Sequence, residues 1–126
     1  MNISSISTNK APEAVGPYSQ GVRAENLIFT SGQLPIIPET GELLKDDIKK
    51  ETRQCLENIK AILEEAGATL EDIVKVNIYI VDMDNFSSIN QVYEEYFNQH
   101  KPARSCVEVS RLPKNGNIEI EAIAVI

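Results

Sequence analysis

The segment Ile73 to Val81 constrains this chain more than any other. It reads Ile-Val-Lys-Val-Asn-Ile-Tyr-Ile-Val, and the alternation places Val74, Val76, Ile78 and Ile80 on one face of a strand. Tyr79 and Val81 keep the other face partly apolar, so the strand belongs inside a covered sheet. Two amphipathic patterns bracket it. Upstream, Ile48, Cys55, Leu56, Ile59, Ile62, Leu63 and Ala66 recur at helical steps. Asp46 or Asp47 caps that helix and Gly67 supplies a left-handed C-cap, which predicts a helix over about residues 47 to 66. Downstream, Asp82 or Asp84 caps a second helix that carries Phe86, Ile89, Val92, Tyr93, Tyr96 and Phe97 on one stripe. Pro102 ends the loop after it.

The flanking segments read as strands and turns. Ile3 to Ser7 is a short strand, and Pro12, Gly16, Pro17 and Gly21 punctuate a loop. Gly21 to Gln33 reads as one or two strands, with Asn26 turning a hairpin between Val22-Arg23-Ala24 and Leu27-Ile28-Phe29. Pro38-Glu39-Thr40-Gly41 fits a type I turn. Cys106 to Val109 and Ile118 to Val125 are two further strands. Pro113, Asn115 and Gly116 between them suggest a loop joining antiparallel neighbours. The order is β-β-β-α-β-α-β-β in one domain of 126 residues. A helix pair on one face of a mixed sheet buries both stripes, so the fold class is α+β.

Composition narrows the chemistry. Twelve Lys and Arg against 19 Asp and Glu leave a net charge of -7. Phosphate backbones are held by clustered Lys and Arg, and no cluster longer than Lys49-Lys50 occurs, so no nucleic-acid partner is expected. No apolar run approaches the ~20 residues of a membrane helix, and the N-terminus lacks a secretory pattern. Cys55 and Cys106 have neither redox nor zinc spacing. A reducing cytoplasm fits. Neither a Walker loop nor GxGxxG occurs. The single His100 follows the second helix, where contact with the last carbonyls is the simplest role. Together with two distant cysteines it makes no zinc site and no hydrolase triad. The expectation is chemistry without metal, nucleotide or organic cofactor.

A few polar residues interrupt the apolar strands. Arg104 lies just before Cys106 to Val109; it makes either a surface ion pair or a bidentate clamp on a carboxylate. Glu119 and Glu121 share one strand face, either as solvated acids or as carboxylates at the lip of a cavity. Cys106 reads as a small buried hydrophobe, because no histidine is placed to activate it. Cys55 lies on the apolar helix stripe and reads as core. Tyr18, in Gly16-Pro17-Tyr18-Ser19-Gln20-Gly21, either packs or offers its hydroxyl over a cleft, in a loop whose shape glycine and proline fix.

These residues form a recognisable pattern. Pro102-Ala103-Arg104-Ser105-Cys106-Val107-Glu108-Val109, Leu112-Pro113 and Ile118-Glu119-Ile120-Glu121-Ala122 resemble the C-terminal signature of the RidA/YjgF family, the reactive intermediate deaminases. Gly16 to Gly21, Thr30-Ser31-Gly32-Gln33 and Asn90 resemble that family's other motifs. The resemblance spans essentially the whole chain. It implies a chorismate-mutase-like α+β domain and a homotrimer, with sheets around a central barrel and clefts between subunits. It also implies hydrolysis of 2-imino acids (2-iminopropanoate from 2-aminoacrylate, and 2-iminobutanoate) to 2-oxo acids and ammonia, without a cofactor. Pyridoxal-phosphate-dependent Ser/Thr dehydratases would supply those imines.

By the same resemblance, Arg104 clamps the substrate carboxylate. Glu119 orients or activates water and moves protons, and Tyr18 closes the pocket. Cys106 and Gly32 line it through backbone atoms, with Ser31 and Asn90 as weaker members. Such chemistry is economical: an imine carbon is already electrophilic, so orientation, a water and a proton path suffice. Three other readings use the same chain. One is a non-catalytic sensor of 2-oxo acids. Another is a ribonuclease or translation inhibitor, which the charge of -7 opposes. The last is a holdase, which would need exposed apolar patches.

Overall fold

The computed structural model describes residues 2–126. Six strands and two helices follow the expected order: β1 Ile3–Ile6, β2 Gly21–Ala24, β3 Leu27–Thr30, α1 Ile48–Glu65, β4 Ile73–Ile80, α2 Phe86–Tyr96, β5 Ala103–Glu108 and β6 Ile118–Val125. All six strands form one sheet in the order β1-β2-β3-β6-β4-β5. The sheet is mixed: β4 and β5 pair in parallel and every other neighbouring pair is antiparallel. Among the described residues, no helix is long and apolar enough to cross a membrane.

Local chemistry sets the element ends. Asp47 caps α1 by accepting from Lys50 N. At the other end Gly67 adopts φ 81°, Gly67 N bonds Glu64 O, and Ala68 N bonds Leu63 O, which is a Schellman stop that glycine permits. The hairpin β2–β3 turns through Glu25-Asn26, with Glu25 at φ 57°. Both helices cover one face of the sheet. Leu56, Ile59, Ile62 and Leu63 of α1 and Ile89 of α2 pack on Ile28, Val76, Ile78, Ile80, Ile118 and Ile120. Burying each such side chain contributes about 1.5–3 kcal/mol. The parallel helices are also joined on their outer side by Lys49–Gln91, Arg53–Glu95 and Glu57–Tyr96.

Four expectations are corrected. Val74 does not share the buried face of β4. A bulge between Ile73 and Lys75 against β6 shifts the alternation, so Ile73 is buried and Val74 is exposed. Strands β5 and β6 are not sheet neighbours, because β4 lies between them and β6 inserts between β3 and β4. The connection through Pro113–Asn115 therefore crosses over β4 rather than turning a hairpin. His100 does not serve the helix end: its Nε2 bonds Ile73 O at 2.6 Å, where the chain after α2 folds back on the bulged start of β4. Strand β5 also begins earlier than expected, so Arg104 lies inside it rather than before it.

Candidate active site

Strand β6 directs Ile118, Ile120 and Ala122 into the core and leaves Glu119 and Glu121 on the helix-free face. The two acids differ in their neighbours. Glu121 accepts hydrogen bonds from Asn77 Nδ2 and Tyr79 Oη, both at 3.1 Å. Glu119 has no such partner among the described residues. Its carboxylate lies across Gly32, where any Cβ would overlap Glu119 Oε1 and sit 2.7 Å from Cδ. The reciprocal bonds Gln33 N to Ile120 O (2.7 Å) and Ile120 N to Gln33 O (3.1 Å) fix that close approach. Half-burial, reinforced by the Glu121 charge, raises the Glu119 carboxyl above its ordinary value.

Tyr18 overhangs the same place. A cleft of about 380 Å³ is lined by Val15, Tyr18, Ser31, Gly32, Leu34 and Glu119, among others. Tyr18 is 53% exposed, and its N–H bonds Gly16 O at 2.9 Å in a tight turn that uses φ 128° at Gly16. Gln20 pins the base of this loop. Its buried amide accepts from Thr8 N and donates to Thr8 O, Ala11 O and Pro12 O. Ser31 Oγ donates to Ser19 O, so its hydroxyl ties the loop to the end of β3.

Arg104 belongs to a second cluster. In the parallel register Arg104 lies opposite Val76 and Cys106 opposite Ile78, which places both on the helix-bearing face. Arg104 Nη1 donates to Asn90 Oδ1 at 2.7 Å. Its Cζ lies 4.7 Å from the Tyr93 ring centroid and 5.5 Å from that of Phe86. Arg53–Glu95 is the only ion pair among the described residues, so Arg104 has no carboxylate partner among them. Burial pushes the Tyr93 hydroxyl up to about 12, although the Arg104 charge pulls the other way. Burial likewise raises the Cys106 thiol, with Arg104 opposing; the sulfur stays protonated near neutral pH and is a poor nucleophile.

The two clusters do not meet within one chain. Glu119 pairs with Tyr79 and Arg104 with Val76, residues of opposite orientation on β4. The two side chains leave opposite faces of the sheet, two strand spacings (about 10 Å) apart across it and three residues (about 10 Å) apart along it.

Comparison with known proteins identifies the family. The profile of the family described as Endoribonuclease L-PSP matches residues 8–126. A RutC family protein of Pyrococcus abyssi is 60% identical over 119 residues, 94% of each sequence. An Escherichia coli protein named 2-iminobutanoate/2-iminopropanoate deaminase is 52% identical over 123 residues, 95% of each. This chain belongs to the RidA/YjgF family. Among RidA/YjgF structures, E. coli TdcF with bound serine superposes with a TM-score of 0.93 at 48% identity, covering 98% of each chain. The site residues expected from the sequence divide between the two clusters: Tyr18, Ser31, Gly32 and Glu119 in one, Asn90, Arg104 and Cys106 in the other. Sequence reasoning missed Gln20 as the pin of the Tyr18 loop, and Phe86 and Tyr93 as neighbours of the guanidinium. A polar Asn90 inside the apolar stripe of α2 was the signal for the second omission.

Proposed function

We propose that this protein hydrolyses the C=N bond of small 2-imino acids, 2-iminopropanoate and 2-iminobutanoate, giving 2-oxo acids and ammonia at clefts between neighbouring copies. One observation carries the reading. Among the described residues, an arginine without a carboxylate partner and a half-buried carboxylate without a hydrogen-bond partner sit on opposite faces of one sheet. They complement each other only when Arg104 of one copy approaches Glu119 of the next. Exposed Leu27, Phe29 and Val107 lie on the same helix-free face as Glu119. A face of that kind marks a contact surface, and the reading closes it in a homotrimer around a barrel. The deaminase name of the 52% identical relative and the serine bound to TdcF, itself a small amino acid, support the same substrate class.

In this mechanism the Arg104 guanidinium grips the substrate carboxylate bidentately and fixes the imine carbon. Glu119 accepts a proton from the attacking water, and a C–O bond forms as the C=N double bond becomes single. The carbinolamine nitrogen takes that proton back from Glu119 and then receives the hydroxyl proton through the same carboxylate, the C–N bond breaks, and ammonia leaves as C=O forms. A carboxyl raised above its ordinary value suits both transfers. Tyr18 closes the cleft with its hydroxyl toward the ligand, and backbone atoms at Gly32, Ser31 and Cys106 line it. An RNA-cleaving role finds no support in a chain of net charge -7.

The deciding experiment couples a pyridoxal-phosphate-dependent Ser/Thr dehydratase to this protein and follows 2-oxo acid appearance. Faster release with the wild type is expected. No acceleration, with 2-oxobutanoate binding retained, would instead favour a sensor. The shared cleft is tested by co-assembling Arg104→Ala with Glu119→Gln chains. Each site then draws its two groups from different chains, so equal mixing restores about one quarter of wild-type sites. No recovery beyond that of either parent would put both groups in one chain. Gly32→Ala is expected to displace Glu119 and lower kcat roughly tenfold or more while the protein stays folded; a wild-type kcat would show that the close approach is not needed.

A further inference from the structure

We propose that Tyr93 is a positioning residue for Arg104, holding the guanidinium toward the substrate carboxylate through the face of its ring rather than through its hydroxyl. The proposal rests on Arg104 as the carboxylate seat. Phe86, Asn90, Tyr93 and Phe97 form one stripe of α2 and its C-terminal end, spaced by four, three and four residues. Three of the four touch the arginine: Asn90 by a hydrogen bond, Tyr93 and Phe86 by ring faces within the ~6 Å at which a cation is attracted to a ring. Phe97 stands behind, its ring centroid 4.7 Å from that of Tyr93 and tilted by 36°.

The Tyr93 hydroxyl has no part in this. Tyr93 is 7% exposed and its Oη is buried without a hydrogen-bond partner among the described residues. An orphaned buried hydroxyl is a cost to the fold that phenylalanine would not carry, so what the site uses is the ring. The choice of an aromatic support has a physical logic. A carboxylate in its place would also fix the arginine, but it would neutralise the charge and occupy the N–H fork that the substrate needs. A ring face orders the flexible side chain and leaves both free. Asn90 takes one N–H, and the remaining donors stay available.

The test preserves side-chain shape and alters only the electrostatics of the ring. Tyr93→Phe serves as the reference, beside the same protein with pentafluorophenylalanine at position 93, in which the negative potential of the face is abolished. Arg104→Ala is the control. Calorimetry gives Kd for 2-oxobutanoate, and the dehydratase-coupled assay gives KM and kcat for the imine. Fluorination is expected to weaken 2-oxobutanoate binding and raise KM by roughly three- to thirty-fold, with kcat moving much less. Equal Kd values in the two ring variants, with Arg104→Ala clearly weaker, would overturn the role of Tyr93 and leave the carboxylate seat standing. A fall in kcat with Kd unmoved would also overturn it. So would a Tyr93→Phe protein as weak as Arg104→Ala, which would assign the effect to the hydroxyl. If Arg104→Ala itself binds 2-oxobutanoate like the wild type, the seat fails and this proposal fails with it.

Discussion

Arg104→Ala is expected to lose roughly a hundredfold or more in kcat/KM for 2-iminobutanoate while remaining folded and assembled. The magnitude follows from what is removed. A bidentate guanidinium–carboxylate contact comprises two charge-assisted hydrogen bonds, each worth about 1.5–3 kcal/mol, and about 1.4 kcal/mol is a factor of ten. The fold loses little, because the half-buried guanidinium has Asn90 as its hydrogen-bond partner and no ion pair. Arg104→Lys should fall between, since it keeps the charge and lacks the planar fork. The measurement is the coupled assay beside a melting curve and a sizing run. A well-folded Arg104→Ala protein with wild-type rates would sink the assignment.

Glu119→Gln is expected to cut kcat by roughly 10²–10⁴-fold and leave 2-oxobutanoate affinity nearly intact, as removal of a general base should. Loss of binding with kcat retained would make Glu119 a structural acid instead. Its raised carboxyl adds two signatures. Activity should fall on the acid side at a pH above the ordinary glutamate range of about 4.3. The folded form also holds the Glu119 proton more tightly than the unfolded chain does, so ionisation costs stability as pH rises through the folded value. Glu119→Gln should therefore melt above the wild type near neutral pH, and the difference should vanish below the ordinary carboxylate range. Glu121→Gln offers a contrast, because that acid has its bonds from Asn77 and Tyr79 to lose.

Much of the fold was legible because local signals agreed with one another. Asp47, the apolar spacing from Cys55 to Leu63 and Gly67 each mark the same helix, and the structure uses all three. What was not legible depends on pairing between distant segments. Alternation alone puts Val74 beside Val76; only the bulge against Ile123 and Ala124 turns it outward. Proximity in sequence suggests that β5 and β6 pair, yet β6 is drawn between β3 and β4, where both of its edges are satisfied. At the site, residue types and motif resemblance singled out Arg104, Glu119, Tyr18 and Gly32. Their division between two sheet faces needs the register of three strands. The contrast between Glu119 and Glu121 needs Asn77 and Tyr79, which no spacing rule connects to β6.

The position of β6 also bears on how this chain is made. The two sides of the sheet, β1-β2-β3 and β4-β5, share no strand pairing until residues 118–125 slide between them. A ribosome extends the chain from its N-terminus, so five strands and both helices are exposed before their keystone emerges. Long-range closure of this kind is slow, and a nascent chain stalled before Ile118 would keep two open strand edges and an uncovered apolar face, a template for aggregation or a signal for proteolysis. The fold thus proofreads its own synthesis: only a chain translated through its final strand can hide its core.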